Sequence, residues 1–265
     1  MRPGVDVIRS RMNPRVRRWL RFVREARARR NEARALIEGP HLVGAYLDTG
    51  GVPEALIVSE SGAAKREIAQ LIHRAGAVAT MLANPVFREL ADTEAPQGIA
   101  AEIVIPAERV SLGDSPGCVL LDGIQDAGNV GTIFRSAAAF GVRDVLVSPG
   151  CADPWSPKVL RAAMGAHFSL RIAVSRSPLA DLERFHGTVA CTVPRGGVPI
   201  GEADLKERIL WIFGAEGRGI RRELAMRADT RVTIPMPGAA ESLNVAAAAA
   251  ICFYEKNRQG DAPAS

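Results

Sequence analysis

From residue 117 onward the chain alternates short apolar runs with stretches of helical periodicity, and this alternation constrains the fold more than any other feature. Apolar runs at 119–121, 144–148, 170–174, 188–193, 209–213 and 231–234 have the length of buried strands. Helices are expected at 129–140, 157–163, 178–185, 221–226 and 243–257. Strands joined through helices run parallel, because a parallel connection must cross over the sheet. A parallel sheet is covered on both faces, which explains why its strands are apolar throughout rather than alternating. Pattern alone therefore predicts a doubly wound, mainly parallel α/β domain.

Within it, the stretch 119–142, VLLDGIQDAGNVGTIFRSAAAFGV, runs from a buried strand through a short loop into a helix. Val130, Ile133, Phe134, Ala137, Ala138 and Phe140 form one apolar face. Asn129 stands at the helix start, where a short amide can cap free backbone N–H groups. Arg135 follows six residues later; it is either a surface arginine or an inward guanidinium that needs an anionic or carbonyl partner.

Two later stretches carry similar signals, LWIFGAEGRGI at 210–220 and IPMPGAAESLNVAAAAAICFYEK at 234–256. Gly214, Gly217 and Gly219 follow an apolar strand but lack the spacing of a dinucleotide-binding fingerprint. Glu216 reads alone as a surface carboxylate beside Arg218, and Ser242 as a helix cap. Residues 245–253 are apolar on nearly every face, which predicts a helix buried on all sides.

The first hundred residues alternate in the same way on a smaller scale. One helix is expected over 16–35, with Val16, Leu20 and Val23 as its apolar stripe, then strands at 36–38, 55–59, 78–82 and 98–105. The last of these is expected to alternate. Helices are expected at 41–48, 62–74 and 84–90. This is a small α/β sandwich with its own core. Pro, Gly and Ser mark a linker over 109–116, dividing the chain into domains at 1–108 and 117–265.

Charge matters here because of where it sits. Residues 1–34 hold twelve arginines against three acids, a surplus of nine, whereas the whole chain carries only +5. A charge run can simply face solvent. A solvated helix usually mixes signs, however, and an arginine-only face favours phosphate, whose oxygens the guanidinium meets bidentately. Arg17, Arg18, Arg21 and Arg24 are the candidate contacts to the phosphates of a nucleic acid. The four cysteines, Cys118, Cys151, Cys191 and Cys252, lack metal-ligand spacing and read as reduced core thiols, so no metal is expected. No apolar run approaches the roughly 20 residues of a membrane span, and the arginine-rich start is unlike a signal peptide, so the expected compartment is the cytoplasm.

Taken together, the segment 129–135, FGAEGRGI and IPMPGAAESLNVA resemble, in order, the three motifs of the SpoU (TrmH-type) branch of the SPOUT RNA methyltransferases. The resemblance covers 117–258. NPRVRRWLRFV, ALIEGPHLVGAYL and DTEAPQGIAAEI resemble the substrate-binding N-terminal domain of the same enzymes, a ribosomal-protein-like α/β fold. The resemblance implies a trefoil knot in the C-terminal domain, S-adenosylmethionine as cofactor, and methylation of a ribose 2′-hydroxyl in RNA, most simply rRNA. It also implies a homodimer through the C-terminal domain.

Residue by residue, it assigns Gly214, Ile234 and Leu243 to the cofactor and Asn129, Arg135, Glu216, Ser242 and Asn244 to catalysis, with Glu216 holding Arg135. Arg135 would act as general base or as an electrostatic anchor; a guanidinium is effectively never deprotonated. Lys158 and Arg161 are further possible RNA contacts. The competing readings are a tRNA 2′-O-methyltransferase, a base methyltransferase on the same scaffold, and a non-catalytic RNA-binding or ribosome-assembly protein, for which the basic N-terminus would suffice.

Overall fold

The structure is a computed structural model that describes residues 6–107, 110, 112–113, 115 and 117–260. The chain divides into two compact units: residues up to 107 together with 155–168, and residues 108–154 together with 169 onward. Half of the expected linker (109, 111, 114 and 116) lies outside the described residues. The rest is not a free tether. Leu112 is buried in the core of the second unit, and Arg208 donates to the carbonyls of Leu112, Gly113 and Ser115.

In the first unit a four-stranded sheet is ordered β1-β4-β2-β3, with β1 at Arg34–Glu38, β2 at Ala55–Ser59, β3 at Ala79–Leu82 and β4 at Ile99–Val104. β4 runs antiparallel to both neighbours, and β2 and β3 are parallel. Helices α1 (Pro14–Arg24), α2 (Ala26–Glu32) and α6 (Asn84–Leu90) supply one core layer. α3 (Pro40–Asp48), α5 (Arg66–Ala75) and α8 (Pro157–Ala163) supply the other. The short α4 (Glu60–Ala63) is capped by the Ser59 hydroxyl, which accepts from Gly62 N. A single 3-10 turn, Ala166–Phe168, follows α8.

Three expectations change here. The single helix over 16–35 is two helices, broken where Glu25 takes up extended backbone. The buried Arg29 curls back to donate to the carbonyls of Phe22 and Val23, satisfying the open end of α1. The buried stripe is Val16, Trp19 and Phe22, with Leu20 and Val23 only partly covered. Finally, β4 does not alternate: five of its six residues are buried, because it lies mid-sheet under helices on both faces.

The second unit is a seven-stranded sheet, parallel in every pairing, ordered β7-β6-β5-β10-β8-β11-β9. The strands are β5 (Gly117–Asp122), β6 (Asp144–Val147), β7 (Arg171–Val174), β8 (Thr188–Thr192), β9 (Val198–Pro199), β10 (Ile209–Gly214) and β11 (Thr230–Thr233). β9 is too short to carry a sequence signal. The insertion of β10 between β5 and β8 fits the knotted sheet that the family resemblance implies.

Helix α7 (Ala127–Ala139) packs on α11 (Val245–Gly260), and Phe253 of α11 meets Phe213 of β10 edge to face. α9 (Pro178–Arg184) and α10 (Arg222–Ala225) complete the unit, bringing Leu182 and Leu224 into its second core layer. Within one chain α11 is only partly covered: Val245, Ala246, Ala249, Cys252 and Phe253 are buried, while Ala247 and Tyr254 are exposed. Among the described residues, no helix is long and apolar enough to cross a membrane.

Candidate active site

The first turns of α7 and α11 lie beside the loop that follows β10, and three polar side chains meet there. Asn129 Nδ2 donates to Glu216 Oε1 at 3.0 Å, and Asn244 Nδ2 donates to the same oxygen at 2.8 Å. Asn244 Nδ2 also lies 2.9 Å from Asn129 Oδ1, closing the triangle. A carboxylate is stabilised near helix N-termini, where unpaired N–H groups give partial positive charge. Among the described residues no group donates to Glu216 Oε2, so that oxygen can accept from a bound hydroxyl.

The capping pattern is shifted from expectation. Asp126, not Asn129, caps α7, its Oδ1 accepting from Asn129 N at 2.7 Å. This releases the Asn129 amide for Glu216. At α11 the capping oxygen is Asn244 Oδ1, which accepts from Ala246 N and Ala247 N, so Ser242 is not the cap. Asn244 thus ends a helix with its oxygen and grips Glu216 with its nitrogen.

The loop itself is tightly built. Gly217 and Gly219 have φ of +83° and +68°, and Gly219 N donates to Ala215 O at 2.9 Å. A Cβ on Gly214 would lie 2.3 Å from the backbone of Gly219 and Ile220, so glycine there is demanded by the loop's own closure rather than by a ligand.

Clefts open on both sides of this loop. One, about 760 Å³, is lined by Gly214, Ile234, Met236, Ser242, Leu243 and Asn244 among others. It holds all three expected cofactor residues, and its size is that of a small-molecule site. Ile234, Met236 and Leu243 offer apolar walls for a purine nucleoside and a thioether chain, beside the carboxylates of Glu216 and Glu241. The other cleft, about 520 Å³, includes Asp122, Gln125, Asp126, Asn129, Glu216, Arg218 and Arg221 in its lining. Glu216 borders both. Among the described residues there is no group of three or more potential metal ligands.

Arg135 stands apart. It is exposed on α7, and no hydrogen bond or ion pair joins it to Glu216, so the expected pairing is absent within one chain. Six residues on a helix turn the side chain far from the direction of Asn129. Sequence reasoning also missed Asp122 and Arg221, which tie the loop down. A carboxylate at the carboxyl end of a parallel strand, where ligands commonly bind in α/β sheets, was the available signal.

In the first unit, three of the four expected RNA contacts already have carboxylate partners. Arg18 bridges Glu32 and the buried Glu102 at 2.9 and 2.8 Å, Arg21 lies 3.5 Å from Glu32, and Arg24 lies 3.8 Å from Glu89. Arg17, Arg27 and Arg30 are exposed and have no such partner among the described residues. Arg161 pairs with Asp92 at 2.7 Å. Cys118, Cys191 and Cys252 are buried free thiols and Cys151 is half-buried; burial pushes each thiol up, away from thiolate chemistry.

Comparison with known proteins gives concordant matches. Residues 116–254 match the SpoU rRNA Methylase family, and residues 13–101 match the MRM3-like substrate binding domain. The chain is similar to the 23S rRNA (guanosine(2553)-2'-O)-methyltransferase RlmP of Bacillus subtilis, with 33% identity over 93% of this chain and 97% of the relative. Among solved structures it is similar to the SpoU methyltransferase AviRb from Streptomyces viridochromogenes in complex with AdoMet. That match has 26% identity and a TM-score of 0.84, over 93% of this chain and 98% of the other. An RNA 2'-O ribose methyltransferase structure matches at 31% identity and a TM-score of 0.79, covering 96% and 99% of the two chains.

Proposed function

The chain belongs to the SpoU rRNA methylase family, and on that premise we propose that it transfers a methyl group from S-adenosylmethionine to a ribose 2′-hydroxyl of ribosomal RNA. The observation that carries this reading is Glu216, held by Asn129 and Asn244 where it borders both clefts. The 760 Å³ cleft suits the methyl donor, with Ile234 and Leu243 as apolar walls. The 520 Å³ cleft, which offers the side chains of Gln125, Asn129 and Arg218, suits the target nucleotide. S-adenosylmethionine supplies an already electrophilic methyl sulfonium.

What remains for the protein is alignment and handling of one proton. Glu216 Oε2 accepts the hydrogen bond of the 2′-hydroxyl and orients its lone pair toward the donor cleft. Asn129 and Asn244 fix the carboxylate so that this orientation costs no rearrangement during reaction. Ser242 lines the donor cleft.

Arg135 completes the site from a second copy of the chain. It projects from the exposed part of α7, and the neighbouring α11 leaves Ala247 and Tyr254 uncovered, so a symmetric dimer through α7 and α11 is part of this reading. There Arg135 serves as an electrostatic anchor for phosphate or developing alkoxide rather than as a base. The first unit binds the RNA, with Arg17, Arg27 and Arg30 as free phosphate contacts. The compartment proposed is the cytoplasm, where ribosomal RNA is processed.

Alkaline hydrolysis provides the test, since a 2′-O-methyl group blocks cleavage at the adjacent phosphodiester. After incubation of rRNA with the protein and methyl-labelled S-adenosylmethionine, label is expected in an alkali-resistant dinucleotide. Label in mononucleotides, or none in RNA, contradicts the reading.

A further inference from the structure

Asp122 is the last residue of β5 and is almost wholly buried, with 2% of its surface exposed. A carboxylate so placed needs strong compensation. Arg221 provides most of it. Its backbone N donates to Asp122 Oδ2 at 2.9 Å, its Nε donates to Oδ1 at 2.8 Å, and its terminal nitrogen lies 2.8 Å from Oδ1. Ser148 Oγ adds a fourth contact at 3.1 Å.

The position of these partners gives the pair its meaning. β10 ends at Gly214, whose register partner in β5 is Asp122. The loop then passes Ala215, Glu216 and the turn at Gly217–Gly219, and ends at Arg221. Both ends of the loop that carries Glu216 are therefore fastened to one residue, the first through strand pairing and the second through the Asp122 carboxylate. Closure between Gly219 N and Ala215 O stiffens the span between them.

We propose that Asp122 and Arg221 are positioning residues for methyl transfer: their ion pair sets the height of the 215–221 loop and so places Glu216 against Asn129 and Asn244. Arg221 acts through this loop and not by touching the reacting atoms. The proposal rests on the methyltransferase reading for its activity readout but not for its structural one.

Arg221→Ala removes the side-chain contacts while keeping the backbone N–H, and the side chain is half-exposed, so the variant should fold. The expected result is a kcat lower by about 10- to 100-fold, the scale of an ångström-sized misplacement. KM for RNA should change less than about threefold, because the loop is not the main RNA contact. Hydrogen exchange at the Gly219 amide should accelerate, and Arg221→Lys, which keeps the charge, should recover part of both losses.

In a Glu216→Gln background, Arg221→Ala should add little further loss, since both changes act through one group. Unchanged kcat and Gly219 exchange in Arg221→Ala would overturn the proposal, as would a full additional loss in the Glu216→Gln background. If the unaltered protein transfers no methyl group to RNA, the functional reading fails. The clamp is then judged by Gly219 exchange alone, faster in both Arg221→Ala and Asp122→Asn if it is right and unchanged in both if it is wrong.

Discussion

Asn244 does two jobs that most side chains divide between them. Its oxygen caps α11 and its nitrogen fixes Glu216, so the two roles can be separated by substitution. Asn244→Ala should cost about 1 kcal/mol of stability, the usual value of a lost cap, together with most of the activity. Asn244→Asp keeps a capping oxygen but sets a second carboxylate against Glu216. It should retain the melting temperature and still lose activity. Melting curves and turnover on the two variants check this, and equal activity in Asn244→Asp and the unaltered protein would contradict it. Glu216 and Asn129 were legible in the sequence through their motifs. Their mutual bond was not, because it depends on Asp126 taking over the cap three residues earlier. A cap is usually assigned by residue type, and here two suitable residues compete for one helix end.

At the scale of elements, strand and helix positions followed from apolar spacing, whereas the order of the strands in each sheet did not, and the discrepancies in position have local causes. α1 and α2 separate at Glu25 because Arg29 satisfies the carbonyls of Phe22 and Val23 from a distance that no helical pattern encodes. The same helix shows why arginine content overstated the free positive charge. Arg18 is tied to Glu102, which is buried on β4 and also accepts from Trp19 Nε1 at 2.8 Å. Arg18→Ala would leave that carboxylate short of a partner and should destabilise the first unit by about 1–3 kcal/mol. Arg17→Ala should leave stability unchanged and lower the slope of log affinity against log salt by about 0.7–0.9 if it removes one phosphate contact. Denaturant melts and salt titrations of RNA binding distinguish the two; a stable Arg18→Ala or an unaltered slope for Arg17→Ala would contradict the assignment.

For the whole molecule, the chain divides into two compact units after residue 107, and residues 155–168 fall in the first unit, whereas the β-α pattern groups them with the second. Trp155, Leu160 and Phe168 join the core of β1, β2 and β4, an association of distant segments that spacing along the chain does not report. Arg135 is a gap of a different kind: its motif was plain in the sequence, yet one chain gives it no partner at the site. The proposed dimer through α7 and α11 would supply that partner. Light scattering at low micromolar concentration should give twice the 28.3 kDa chain mass, whereas a monomer that still methylates RNA would contradict it. The central claim is methyl transfer to a ribose of ribosomal RNA, and nucleoside-resolved mass mapping tests it most directly. Ribosomal RNA from cells lacking this protein should miss one 2′-O-methyl group, which purified protein and S-adenosylmethionine restore in vitro and the Glu216→Gln variant does not. Identical maps with and without the protein, or a missing methyl group carried on a base, would contradict the account.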